Sequence, residues 1–314
     1  MMQPKFLFLG GAVIDIVGEL PKAKGNEIRL ELGTKQIAQG IRVYPGGSAL
    51  NSATAAARMG GKTALLSAVG KDAFGALLAN HARDCGINVT QLHKLQQPTG
   101  ASIVLLQNGE KTILSSHGAG DALAPEHFKT GTEKGFDILF CTAMHSQDNM
   151  ALFSKAAAAF SRANKKVVLA PSITMLRKYA GTVKKLYQDF DLTIMNEEEA
   201  RFLTREKTIR KALEKLPGKT RVVTAAARGA YAFDRERHYH ITAPRVKVAD
   251  TTGAGDVFSG VFAQQHYSGK TLSESLRTAT AAAALQLTRQ GANFDYSARE
   301  VEAFAKRIPG TKKS

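Results

Sequence analysis

Cysteine is scarce. Cys85 and Cys141 are the only two in the chain, and they stand in no metal-binding spacing, which excludes a disulfide framework and a cysteine-held zinc site. Cys85 closes a predicted helix and Cys141 ends an apolar strand, so both are expected to be buried thiols in a protein of the reducing cytoplasm. Long apolar runs are missing as well, and none reaches the length of a membrane span. The run 6–14 has the hydrophobicity of a signal-peptide core. Asp15 interrupts it and no small-residue cleavage site follows, so it reads as a first buried strand. Aromatic residues make up 7% of the chain, and neither internal repeats nor low-complexity blocks occur. The formal net charge of +16 would suit nucleic acid. Yet the basic residues are scattered, with no stripe and no helix-turn-helix, finger or RNA-binding sheet motif. Neither a nucleic-acid nor a membrane partner is expected; the charge implies a general attraction for small anions. A G-x-G-x-x-G turn is also absent after the first strand, where Gly10-Gly11-Ala12-Val13-Ile14 stands, and this excludes a Rossmann dehydrogenase.

What is present is regular alternation. Apolar strand-like runs at 6–9, 63–69, 137–141, 166–170, 191–195 and 220–225 alternate with helical spacing over 49–59, 73–85, 148–163 and 175–187. Such alternation predicts an α/β fold: a mostly parallel sheet with helices on both faces, and ligands at the carboxyl ends of the strands. Two segments break the pattern. Residues 16–45, with Ile28-Arg29-Leu30-Glu31-Leu32, alternate polar and apolar residues. Residues 101–107 and 110–115 flank Asn108-Gly109, a type I′ hairpin signal. Together they are expected to form a small β-sheet lid over residues 15–45 and 98–117, with the core at 1–14, 46–97 and 118–314. A lid suits chemistry that must exclude water.

The most informative stretch is Asp250-Thr251-Thr252-Gly253-Ala254-Gly255-Asp256. Val257 and Val261, and Phe258 and Phe262, follow at helical spacing. Gly253-Ala254-Gly255 therefore forms a tight turn at a helix N-terminus, where free N–H groups and the dipole attract an anion. A lone aspartate at a helix start is ordinarily explained by that dipole alone. Beside an anion cradle, however, Asp256 completes what phosphoryl transfer to a hydroxyl needs: donors for the transferring group and a base for the proton.

These residues resemble the C-terminal signature of the ribokinase-like (PfkB) carbohydrate kinase family. A second family signature is similar to Gly46-Gly47-Ser48-Ala49-Leu50-Asn51, followed by Val69-Gly70-Lys71-Asp72-Ala73-Phe74-Gly75. The resemblance runs across nearly the whole chain. It implies a three-layer α/β/α sandwich with a β lid and an ATP-dependent kinase acting on a primary hydroxyl. Asp256 would be the base and the Gly253, Ala254 and Gly255 amides the anion hole, while Asp15, Gly46, Gly47 and Asn51 would grip the acceptor. Asn196 and Glu199 match the family's N-x-x-E motif, which orders Mg²⁺ and its waters. Thr224 and Gly229 resemble the nucleotide-contact turn, in which Ala226 stands where glycine is usual. Gly291 and Asn293 resemble the segment lining the adenine pocket. The resemblance further implies a monovalent cation, usually K⁺, near Asp250 and Thr252, although the proline that usually follows that segment is replaced by Phe294-Asp295-Tyr296-Ser297. A sugar is the expected acceptor, with a nucleoside as the alternative and a non-catalytic nucleotide or sugar sensor as a third reading. A homodimer through the lid is also implied.

Overall fold

Five strand residues show how the sheet is built. Phe6 and Phe8 are fully buried against one helical layer, while Leu7, Leu9 and Cys141 are fully buried against the other. Alternate side chains leave a strand on opposite faces, so a run with no polar position must be covered on both sides. Phe8 meets Phe140 of the adjacent strand with ring centroids 4.8 Å apart, a tilted contact that contributes about 1 kcal/mol beyond its area.

The computed structural model describes residues 3–22, 25, 27–108, 110–235, 237–292 and 294–313. Among them the large sheet has ten strands. Its spatial order is Lys312–Lys313, Arg237–Ile241, Ala230–Asp234, Thr220–Thr224, Leu192–Asn196, Lys166–Leu169, Ile138–Cys141, Lys5–Leu9, Lys62–Gly70 and Leu92–Leu95. Neighbours from Thr220–Thr224 to Leu92–Leu95 are parallel, and the other end closes with antiparallel pairs. Helices Ser48–Arg58, Ala73–Asp84, Ala254–Tyr267, Leu272–Gln286 and Ala298–Ala305 pack on one face, and Gln147–Arg162, Ile173–Lys185, Glu197–Thr204 and Ile209–Lys215 on the other. This is the three-layer sandwich the alternation predicts. No helix among the described residues is long and apolar enough to cross a membrane.

A second sheet has the order Gly40–Gly46, Val13–Glu19, Thr99–Gln107, Glu110–Gly118. The predicted hairpin is present, with Gln107 paired to Glu110 and Asn108 at φ 53°; Gly109 lies outside the described residues. One expectation fails. Ile28–Leu32 alternates like a strand, but residues 27–39 contain no strand, and Leu32 is 97% exposed. Alternation needs an adjacent strand edge to pair with, and here Gly40–Gly46 already fills the place beside Val13–Glu19. Cys141 is buried as expected, whereas Cys85 is only half-buried.

Candidate active site

Two helix starts meet at one point. The helix Ala254–Tyr267 opens from Gly253, whose φ of 75° is the left-handed conformation that glycine adopts without strain. No side chain caps this helix, which leaves its N-terminal amides to a ligand. Its neighbour Ser48–Arg58 packs against it unusually closely. A Cβ on Gly260 would stand 2.2 Å from the Ser52 carbonyl oxygen, so no larger residue fits there. That approach brings Asn51 to Asp256: the Asn51 amide donates to Asp256 Oδ2 at 2.9 Å, and Ser52 Oγ donates to the Asp256 carbonyl at 3.1 Å. Burial pushes the Asp256 carboxyl up to about 6, the Asn51 hydrogen bond opposes this, and the negative charge of Asp15 adds to it. A carboxylate poised there is ionised at neutral pH yet basic enough to take a proton.

Asp15 comes from the small sheet. It lies in register between Tyr44 and Ser102 on the face turned toward the core. Burial raises its pKa, a Ser102 hydrogen bond and the Lys111 ammonium lower it, and the Asp250 charge raises it. Gly46 makes room for this carboxylate: a Cβ on Gly46 would sit 2.3 Å from Asp15 Oδ2. Gly46→Ala should therefore displace Asp15 and raise the KM for the hydroxyl-bearing substrate about tenfold or more. The KM for the phosphoryl donor should stay unchanged. Equal rises in both would show that the substitution acts through general distortion. Gly47, at φ 99°, caps the helix Ser48–Arg58, and Ala49 and Leu50 donate their N–H groups to the Gly11 carbonyl.

Asp250 ties two loops together. Its Oδ1 accepts from Thr252 N at 2.9 Å and Thr252 Oγ1 at 2.7 Å, and its Oδ2 accepts from Gly291 N at 3.0 Å. Burial alone would raise its pKa, but the Thr252 and Gly291 hydrogen bonds and the Lys111 charge hold it below the usual value.

Farther along the sheet, Asn196 and Thr224 stand opposite each other at the ends of adjacent parallel strands. They border a cavity of about 410 Å³ lined by residues 196–198 and 224–228. Asn196 and Glu199 form a reciprocal capping box, with Asn196 N donating to Glu199 Oε2 at 2.8 Å and Glu199 N donating to Asn196 Oδ1 at 2.9 Å. Glu199 is only 7% exposed. Burial raises its pKa to about 7, the Asn196 N–H opposes this, and the charge of Asp256 adds to it. Ala226, in the position where the family has glycine, is forced to φ 47°, a left-handed conformation costing an alanine about 1 kcal/mol. The turn thus keeps its path at the expense of local strain. Gly229 follows at φ 88°.

Asp15, Gly46, Gly47, Asn51, Asp250, Thr252, Gly253, Ala254, Gly255, Asp256 and Gly291 thus belong to one connected constellation. Glu199 reaches it electrostatically, Thr224 lines the neighbouring cavity, Gly229 directly follows that lining, and Asn293 lies outside the described residues. Lys111 was not foreseen. Its Nζ donates to Thr252 Oγ1 at 2.7 Å and stands 3.6 Å from Asp250 Oδ1, carrying a lid charge into the core. Gln286, discussed below, was also missed.

The sequence profile described as pfkB family carbohydrate kinase matches residues 6–299. The chain belongs to this family. Among related pfkB members, the ribokinase of Haemophilus influenzae is 29% identical over 272 residues, covering 83% of this chain and 87% of that protein. Adenosine kinase 2 of Arabidopsis thaliana is 25% identical over 281 residues and covers 81% of each. The solved structure of Arabidopsis thaliana ribokinase complexed with ribose and ATP superposes with a TM-score of 0.82 at 26% identity, covering 97% of this chain and 99% of that one. The ribokinase-like fold and membership in this family of phosphotransferases follow directly.

Proposed function

We propose that this pfkB member transfers the γ-phosphoryl group of ATP to a primary hydroxyl of a small sugar in the cytoplasm. The observation that carries the reading is the Asn51–Asp256 hydrogen bond at an uncapped helix N-terminus. It supports the reading because a carboxyl of raised pKa lies in the first turn of a helix whose N-terminal amides no side chain caps. In this mechanism Asp15, acting through both carboxylate oxygens, and the backbone at Gly46 and Gly47 orient the acceptor. Asp256 takes the proton as the hydroxyl attacks. The amides of Gly253, Ala254 and Gly255 stabilise the charge on the transferring group. Thr224, Gly229 and Gly291 border the nucleotide.

Mg²⁺, when bound, neutralises phosphate charge. Asn196 and Glu199 are the residues that would hold its waters, and they fit that task. Glu199 is a buried carboxylate with no Lys or Arg paired to it among the described residues, a setting that a nearby cation relieves.

A sugar is favoured over a nucleoside by the relatives, since the ribokinase of Haemophilus influenzae is 29% identical over 272 residues and adenosine kinase 2 of Arabidopsis thaliana 25% over 281. The test is ADP release with ATP and Mg²⁺ across ribose, fructose, ketogluconate, phosphosugars, adenosine, guanosine and cytidine. A free-sugar hit supports the reading, and a nucleoside hit moves the acceptor class while keeping the site. ATP binding without turnover on any acceptor would favour a sensor.

The lid also carries a proposal. Ile41, Ile103 and Leu114 share the face opposite Asp15 and are 71%, 48% and 58% exposed. Pairing of two lids would cover this apolar face. Light scattering should give about twice the 33.7 kDa chain mass, and Leu114→Asp should halve it. A monomeric wild type contradicts the pairing.

A further inference from the structure

The helix Leu272–Gln286 ends in a polar residue that is almost completely enclosed. Gln286 is 1% exposed, and its Nε2 donates to the Gly291 carbonyl at 2.6 Å and to the Thr252 carbonyl at 3.4 Å. Thr252 directly precedes Gly253, the first residue of the anion turn. Gly291 belongs to the loop that Asp250 ties to the same turn. One side-chain amide therefore bridges the two loops that set the direction of the free N–H groups.

The family resemblance assigns that bridging to a monovalent cation near Asp250 and Thr252. The residues present do not fit one. Both Asp250 oxygens accept from protein donors, the Thr252 carbonyl faces the Gln286 amide, and the Lys111 ammonium stands 3.6 Å from Asp250 Oδ1. A further positive ion would meet satisfied acceptors and a like charge. We propose that the Gln286 amide, with the Lys111 ammonium, replaces the monovalent cation as the staple of the anion turn, so that this protein works without K⁺. Gln286 is a positioning residue: it holds one carbonyl of each loop, at Thr252 and at Gly291.

The orientation of the amide decides the matter. Gln286 Oε1 is buried and has no hydrogen-bond partner among the described residues. With Nε2 toward the carbonyls, two acceptors share one NH₂ group. With the amide reversed, three oxygens would converge, and only a cation could hold them together. The two orientations thus make opposite predictions about K⁺.

The experiment compares thermal unfolding of the full chain in about 100 mM KCl and in tetramethylammonium chloride of equal ionic strength. The wild type should unfold at the same temperature in both, within about 1 °C, and should not broaden the thallium NMR line. An ion bound at a hundredfold excess over its Kd would instead raise the midpoint by about 5 °C or more. Gln286→Glu places a carboxylate against two carbonyls. It should therefore unfold earlier in tetramethylammonium and recover in K⁺. A wild type stabilised by K⁺, or one that binds thallium, overturns the proposal, and this arm holds even if the variant does not fold. In the activity arm, replacing K⁺ with tetramethylammonium should change kcat/KM less than about twofold, whereas loss beyond tenfold contradicts it. Only that last arm rests on the kinase reading; the unfolding and thallium results stand whatever the substrate proves to be.

Discussion

Asp256→Asn is expected to lower turnover by about 10²–10⁴-fold, the contribution of a positioned general base, with ATP binding nearly unchanged. Asparagine keeps the acceptor oxygen that the Asn51 amide uses at 2.9 Å, so the two helix starts stay joined and the loss reports chemistry. In the wild type, kcat/KM should fall tenfold per pH unit below about pH 6, because protonation of Asp256, whose pKa is about 6, removes the base. The same carboxyl links activity to stability. Its folded-state pKa lies above the ordinary 3.8, so folding disfavours the ionised form. That penalty is absent below 3.8, grows as pH rises, and is complete above about 6. Asp256→Asn removes it and should stabilise the protein at pH 8 by about 1–2 kcal/mol, allowing for the partial exposure of the group. The gain should shrink as pH falls through 6. Turnover equal to wild type would remove Asp256 from the mechanism. A stabilisation independent of pH would mean that the folded-state pKa of Asp256 is not raised.

The second large effect is expected from Asp15→Asn. A carboxylate accepts from two hydroxyls with charge-assisted strength, each such bond contributing about 1.5–3 kcal/mol. An amide retains one acceptor and no charge. Acceptor kcat/KM should fall about 10²-fold or more, with the KM for ATP preserved. A second readout separates this role from simple structural damage. The Asp15 charge helps to raise the Asp256 pKa, so its removal should move the acid limb of the pH profile to lower pH. An acid limb that stays in place would show that the two carboxylates do not communicate. An unchanged acceptor KM would move the acceptor grip elsewhere.

Much of this was legible in the sequence because single residues impose local geometry. Gly253 and the apolar positions at 257, 258, 261 and 262 specify a turn followed by a helix, and Asn108 specifies a hairpin. The N-x-x-E motif at Asn196 and Glu199 points to a candidate metal role, and the structure adds that the same pair forms a reciprocal capping box. What could not be read depends on contacts far apart in the chain. Lys111 alternates along a lid strand like any surface lysine, and only the fold carries it 141 positions along the sequence to Thr252. Gln286 looked like a polar residue at a helix end, and nothing local shows that two carbonyls converge on it. Ile28–Leu32 misled for the converse reason, because its alternation has no partner edge. Gly260 reads as one more small residue until the Ser52 carbonyl is seen against it.

The account rests on phosphoryl transfer to an acceptor hydroxyl with Asp256 as base. Phosphorus NMR of a reaction with ATP, Mg²⁺ and the best acceptor of the panel tests this most directly, run side by side with the wild type and Asp256→Asn. The account predicts a new phosphomonoester signal that grows in step with ADP in the wild type and is lost in the variant. ADP accompanied by free phosphate alone, or the same phosphomonoester formed equally fast by Asp256→Asn, would contradict it.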